Sequence, residues 1–386
     1  MCNPRIMATI GVGLVWLARA ELPCAAVPFR DVKDFGFDWE GSYVNFLSMA
    51  RSPDRCLVVT GVIKKDANSD VYSPLVFKLN QSYQLVWKKF LSCTMYSDKQ
   101  GSRVRILPKG NILVLGESVD GDGGGFLLEL SKDGDIVSNA ELLNAGAMLA
   151  TFPDGDSLLL WKDGMTERRT PSHKIASSLK AGIFTQSALT DLQADMAGNF
   201  YVCGISGKGG APFIFINKYS HFGKLAWSRS MPYSEKMIGE CKIAVGSEGS
   251  VFLIGAGYIN RYNGSGGLMW SRNIVNPQDS VSSAGEDDYP NNAYNAMSAG
   301  FYEQDALYAI IRIHIRGQTK GNYIYRIDSE GDLLNVSEID RLAVWELVPL
   351  GAGRCLVLSN QYSGGEGVLE CRGVLSLWSA LNGQLK

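Results

Sequence analysis

The chain has 386 residues, of which 46% are hydrophobic and 20% charged, with a formal net charge of −2 and 43 glycines against 13 prolines. Ordinary apolar content with a small net charge excludes a disordered chain, and the lack of a basic excess argues against general nucleic-acid binding. The glycines follow no three-residue period, which excludes collagen, yet at about 11% they exceed the usual ~7% and require a structural use.

Met1 to Ala20 has the build of a secretory signal: Arg5 gives the positive start, Ile6 to Ala18 an uncharged apolar stretch, and Ala18-Arg19-Ala20 small residues for cleavage. A second cut would follow Ala26. The apolar stretch falls short of the ~20 residues a spanning helix needs, so a retained anchor is the second choice. Lipidation at Cys24, which follows Pro23, is the third. Cleavage removes Arg5 and Arg19 and leaves a mature charge of −4. The expectation is an exported, mildly acidic monomer, periplasmic or extracellular, not inserted in a membrane, with one domain over residues 27–386. Export permits disulfides. Seven cysteines remain beyond Cys2, however, so a full disulfide framework is excluded, and no Cys/His spacing suggests zinc.

Next comes Asp34 to Trp39, a short strand-like segment without a partner of its own. Beyond it a repeat runs to the C-terminus: an alternating strand, a tight turn, a very apolar strand, a loop, a third strand, a second turn and a fourth strand. The clearest copy is Ala188 to Met231, with turns at Met196-Ala197-Gly198-Asn199 and His221-Phe222-Gly223. The first turn recurs seven times, from Pro53-Asp54-Arg55 to Gly351-Ala352-Gly353. It always precedes a run such as CLVVTGV, ILVLGES, SLLLW, FYVCGIS, VFLIGAG, LYAIIRI or CLVLSN. Such aliphatic, β-branched runs bounded by turn formers read as buried strands. The first apolar residue after each second turn gives the markers Leu85, Ile136, Ile183, Leu225, Leu268, Leu333 and Leu385, spaced 51, 47, 42, 43, 65 and 52 apart. That period with four strands per unit predicts an all-β fold, a seven-bladed β-propeller of four-stranded antiparallel blades. No 3.6-residue pattern supports stacked helices. The last unit has almost no fourth strand, so Asp34 to Trp39 is expected to supply it and close the ring.

Three fourth-strand phrases, KLNQSYQLVW, KYSHFGKLAW and RYNGSGGLMW, end on Trp87, Trp227 and Trp270. These repeats resemble bacterial propeller repeats of the SBBP and PQQ-like (quinoprotein) type. The terminal Ala380 to Lys386 looks like a worn copy of the alanine-to-glycine turn of PQQ-like repeats. The resemblance spans residues from about 40 to 386. It implies exported seven- or eight-bladed propellers, whose roles range from envelope-assembly scaffolds to quinone dehydrogenases. Tryptophan stands at the marker in three units only, and no unit carries a set of cofactor ligands. Kelch and WD40 repeats fit less well.

In a propeller, the links between blades and the second-to-third strand loops share one face. Here that face carries the long, variable segments and is the candidate surface. The link from Val275 to Ala293 holds Asp279, Glu286, Asp287, Asp288 and Tyr289. With Asp120 and Asp122, and with Asp66 and Asp70, these are weak candidates for calcium. Arg312, His314 and Arg316 alternate with Ile311, Ile313 and Ile315, so the polar groups share one side of a strand and would suit a carboxylate or sulfated sugar. Arg168 and Arg169, placed on the loop of the third unit, form a second basic site. Cys355 and Cys371, on neighbouring strands, are the candidate disulfide. Trp87, Trp227 and Trp270 read as packing between blades. Of the three histidines, His173, His221 and His314, none belongs to a linear catalytic motif. The leading expectation is a non-catalytic scaffold without cofactor that binds a protein or glycan. The alternative is an enzyme, a quinoprotein-like oxidoreductase using PQQ or a carbohydrate-active lyase or hydrolase.

Overall fold

A computed structural model describes residues 29–35, 43–64, 71–91, 99–118, 124–144, 147–180, 187–207, 212–232, 240–246, 248–255, 257–274, 293–302, 306–315, 318–339, 343–351, 353–363 and 370–380. For some of these, including Phe29–Phe35 and His314, it describes the backbone alone. The described residues contain strands and turns, and among them there is no helix.

Five separate four-stranded antiparallel sheets follow one another along the chain. The first is β6 to β9, Lys99–Ile106, Ile112–Ser118, Gly125–Leu130 and Ile136–Leu142. Next is β10 to β13, Met148–Thr151, Ser157–Leu160, Met165–Arg169 and Ile175–Lys180. Strands β14 to β17 are Ser187–Ala194, Phe200–Ser206, Phe213–Tyr219 and Leu225–Pro232. Strands β18 to β21 are Lys242–Val245, Val251–Gly255, Tyr258–Tyr262 and Leu268–Asn273. The fifth is β22 to β25, Ala293–Tyr302, Ala306–Ile315, Gln318–Ile327 and Leu333–Ile339. The chain ends pair in an eight-stranded sheet. One part of it is β2 to β5, Tyr43–Arg51, Leu57–Lys64, Ser73–Leu79 and Leu85–Phe90. The other is β26 to β28, Ala343–Gly351, Arg354–Ser363 and Glu370–Ala380, with β1, Phe29–Phe35, antiparallel to β28. A single parallel bridge, Tyr43 to Cys371, joins the two parts. The N-terminal strand thus pairs where the sequence expects it. It begins earlier, at Phe29 rather than Asp34, and carries a register shift between Asp31 and Lys33; 36–39 lie outside the described residues.

The expected second strands coincide with β3, β7, β11, β15, β19, β23 and β27. They are apolar throughout because the second and third strands of each sheet are covered on both sides: β3, β4, β8, β11 and β19 are buried almost end to end. Fourth strands such as β5 and β21 are largely exposed. The core is a series of clusters, each filling the gap between consecutive sheets. The series returns to its start where Phe46 and Phe77 pack with Leu356, Leu358 and Leu375. First strands touch in the same closed cycle, β2 with β6, β6 with β10, and onward until β26 meets β2. Each fully buried large side chain stabilises the fold by roughly 1.5–3 kcal/mol.

Most of the hairpin turns share one geometry. Leu107 N–H donates to Asn111 O and Gly110 N–H to Leu107 O, both at 2.8 Å, and the same pair of bonds recurs around the molecule. This is a type I turn followed by a left-handed residue in a G1 bulge. Glycine holds that position in most copies; Arg55, Tyr83 and His173 hold it at φ of 61°, 60° and 59°. In the third unit this turn is Thr170 to Lys174, so the marker there is Ile175 and not Ile183. A histidine in the glycine position hid that turn from the sequence pattern.

Candidate functional site

Arg312 lies in β23 between Asn295 of β22 and Asn322 of β24. Its Nε donates to Asn322 Oδ1 at 2.9 Å. Burial lowers the pKa of its guanidinium, and the Glu240 carboxylate opposes that shift. The flanking Ile311 and Ile313 are buried against the sheet β18 to β21, as the alternation requires. His314 pairs through its backbone with Ala293 and Thr319. Its side chain lies outside the described residues, and so does Arg316.

Arg168 and Arg169 are not on a loop of the variable face. The connection from β11 to β12 is the tight turn closed by Trp161 and Met165, and both arginines stand in β12, at the end that meets the short turns. Arg168 pairs with Asp154 at 2.7 Å and Asp156 at 2.6 Å, and donates to His221 O at 3.0 Å. Its guanidinium lies over the Phe152 ring at 4.9 Å. Arg169 pairs with Glu167 at 2.7 Å and donates to His173 O at 3.3 Å. The run TERR looks loop-like because it is polar; in the sheet, its charges are matched by neighbours.

The acidic candidates Asp120, Asp122, Glu286, Asp287 and Asp288, with Asp66, Asp70, Asp279 and Tyr289, lie outside the described residues. Among the described residues no group of three or more His, Cys, Asp or Glu could hold a metal ion. The Cys355–Cys371 pairing is corrected by the register of the two strands. Cys355 faces Trp378 and Cys371 faces Tyr362, at opposite ends of the β27–β28 pair. At ~3.3 Å per residue the gap is about 23 Å, far beyond disulfide reach. The two strands are neighbours, and it is their antiparallel register that sets the cysteines apart.

The first strands carry a recurring device at the centre. Bulges interrupt β2, β14, β22 and β26 just before Ser48, Asp191, Ser298 and Glu346. Each of these side chains accepts from a backbone N–H of the next first strand. Val104 donates to Ser48 Oγ at 3.2 Å, Ile243 to Asp191 Oδ2 at 2.9 Å and Leu347 to Ser298 Oγ at 3.0 Å. Met49 donates to Glu346 Oε2 and so joins the last sheet to the first. Burial raises the pKa of the Glu346 carboxyl, against the pull of Arg105, the Met49 N–H, Arg103 and Ser48. Both guanidinium groups act on this carboxyl from β6, the first strand of the following sheet.

A second device binds consecutive sheets at the opposite end. Trp87 Nε1 donates to Lys132 O at 3.3 Å, Trp227 to Gly264 O at 3.1 Å and Trp270 to Ser329 O at 2.9 Å. The indoles lie on the left-handed turn glycines of the next sheet. A Cβ at Gly266 would come within 2.8 Å of Trp227, and one at Gly331 within 2.9 Å of Trp270. Two cations flank each indole. Lys78, Lys218 and Arg261 reach the same carbonyl as the indole; Lys89, Arg229 and Arg272 reach the carbonyl of the turn glycine. Sequence reasoning read the tryptophans as packing and missed the cations, although the spacing basic-x8-Trp-x-basic is present in all three phrases. Arg168 bonds His221 O in the place Lys218 takes toward Gly264 O, which explains its role.

No protein-family model matches the chain, and no curated protein matches it in sequence. Solved structures match in shape. A catalytically inactive variant of virginiamycin B lyase from Staphylococcus aureus, solved with quinupristin, aligns at a TM-score of 0.54 and 12% identity, over 90% of this chain and 99% of that one. The Dos1 propeller aligns at 0.52 and 10%, over 91% and 95%. BBS1N, crystallised in complex with ARL6DN, aligns at 0.50 and 11%, over 92% and 98%. At such identities the likeness is one of fold, and the fold is a β-propeller.

Proposed function

We propose that this chain is an exported, seven-bladed propeller that binds a protein or glycan partner through the face bearing its long connections. One observation carries the reading: connection length varies far more on that face than on the other. Most of the short turns share a single hydrogen-bonded geometry. Connections on the other face run from the tight turn after Trp161 to the stretch between Asn273 and Ala293. Variable segments on a rigid scaffold are where binding is normally built. The closed cycle of first strands supports seven blades, with the eight-stranded sheet counted as two blades joined at one bridge. BBS1N, a protein of this fold, was crystallised with a protein partner. In this reading residues 1–20 are a cleaved leader, and the mature chain works as a monomer without cofactor.

The second reading is an enzyme, an oxidoreductase of quinoprotein type or a carbohydrate-active lyase or hydrolase. It draws on Glu346 beside Arg103 and Arg105. A photo-crosslinking residue tests the first reading. It is placed at Leu143, 93% exposed in the link after β9, or at Phe222, 90% exposed in a short turn. Adducts from Leu143 and none from Phe222 support it; adducts from Phe222 alone overturn it. A rise in melting temperature with PQQ and calcium favours the enzyme.

A further inference from the structure

Cys203 and Cys241 meet between two sheets. Cys203 is in β15, and Cys241 immediately precedes β18. Their sulfurs are 3.3 Å apart, and both residues are fully buried in the cluster that joins the two sheets. Thr190, the bulge residue of β14, lies against both: its Oγ1 is 2.9 Å from Cys241 Sγ and 3.4 Å from Cys203 Sγ. Gly255 leaves the room this requires, since a Cβ there would stand 2.8 Å from Cys241 Cβ.

We propose that Cys203 and Cys241 form a disulfide that staples the sheet β14 to β17 to the sheet β18 to β21. A disulfide has S–S near 2.05 Å, so the sulfurs need approach by little more than an ångström. The two thiols lose two protons and two electrons as the Sγ–Sγ bond forms. A small-molecule or protein disulfide accepts both and leaves as two thiols. Exchange proceeds through a thiolate. In the folded protein, burial and the Cys241 hydrogen bond push the Cys203 thiol well above its ordinary range. The bond therefore forms while the chain is still folding, and once enclosed it resists reduction. In the cell the oxidant requires an oxidising compartment, so the physiological staple rests on the export reading; its chemistry does not.

The test refolds the full chain with reduced and oxidised glutathione, denatures it, alkylates free thiols and maps the peptides. The expected product links Cys203 to Cys241. Protein refolded with a strong reductant should melt lower by on the order of 5 °C. Cys203→Ala and Cys241→Ala should each abolish that redox difference. Alkylation of both cysteines after oxidative refolding overturns the proposal, and so does a link from either one to a different cysteine. A staple that forms in the tube but is absent from the full chain isolated from its cells overturns the export reading instead.

Discussion

Neighbouring sheets are held together in two chemically different ways at the short-turn end. From β2–β5 to β6–β9, from β14–β17 to β18–β21, and from β18–β21 to β22–β25, an indole between two cations grips the next turn. From β6–β9 to β10–β13 the position that elsewhere holds the cation is Glu129. Its carboxylate meets His173 Nε2 at 2.7 Å, with both side chains 7% exposed. The first mode buries a large apolar surface and donates to carbonyls that any sequence offers. The second depends on two particular side chains. The comparison teaches that the junction is set by geometry, a turn presenting its carbonyls and left-handed residue, and that residue types are interchangeable around it.

The largest effect expected is at an indole. Trp227→Ala should cost about 3 kcal/mol, because the ring is nearly buried and the cavity cannot be refilled by its neighbours. Urea midpoints measure this; a loss under about 1 kcal/mol would mean that the flanking cations hold the junction alone. At the ionic junction His173→Ala should cost about 2 kcal/mol, since it strips a partner from a buried carboxylate. His173→Gly should cost about 1 kcal/mol less, because glycine accepts the left-handed backbone without strain. Equal losses for the two variants would show that the turn is unstrained. Arg55→Gly, at the same position in an exposed turn, should stabilise the fold by about 1 kcal/mol in a thermal or urea melt.

The smallest effect is electrostatic. The Ser52 hydroxyl and Lys78, working against partial burial, lower the Asp54 carboxyl from 3.8 to about 2. A carboxyl with a depressed folded-state pKa adds stability above its unfolded value and loses it as pH falls through the folded one. Asp54→Asn should therefore cost only about 0.5 kcal/mol at neutral pH, since the group is more than half exposed. The difference from the parent should close between pH 3.8 and about 2. A difference that persists at pH 2 would assign the effect to the turn's hydrogen bonds instead of its charge.

Much of the fold is legible in the chain. Alternation and turn residues locate the strands from β2 to β28, because a strand covered on both sides must be apolar throughout and a G1 turn favours glycine. The pattern fails at Ile175, where His173 takes the glycine's place, and at Arg168, whose polarity suggests a loop. Less of the candidate site is legible. Glu346 carries no local signal: it is one glutamate in VWELV, and its meaning comes from Met49 and two arginines far away in sequence. The basic-x8-Trp-x-basic clamp is visible in the sequence, yet its targets are carbonyls of the next sheet, which no residue type announces.

The sequence by itself determined the all-β class, the repeat, the turn chemistry and the pairing of an N-terminal strand with the last sheet. These follow from local sterics and from a two-residue alternation that any strand must obey. Only the tertiary structure decided partners across sheets. It set Cys355 and Cys371 far apart and brought Cys203 and Cys241 together, and it took Arg168 from a binding face into a structural clamp. Such pairings depend on the register and packing of sheets that are distant in the chain, and burial brings those residues together without leaving a local pattern in the sequence.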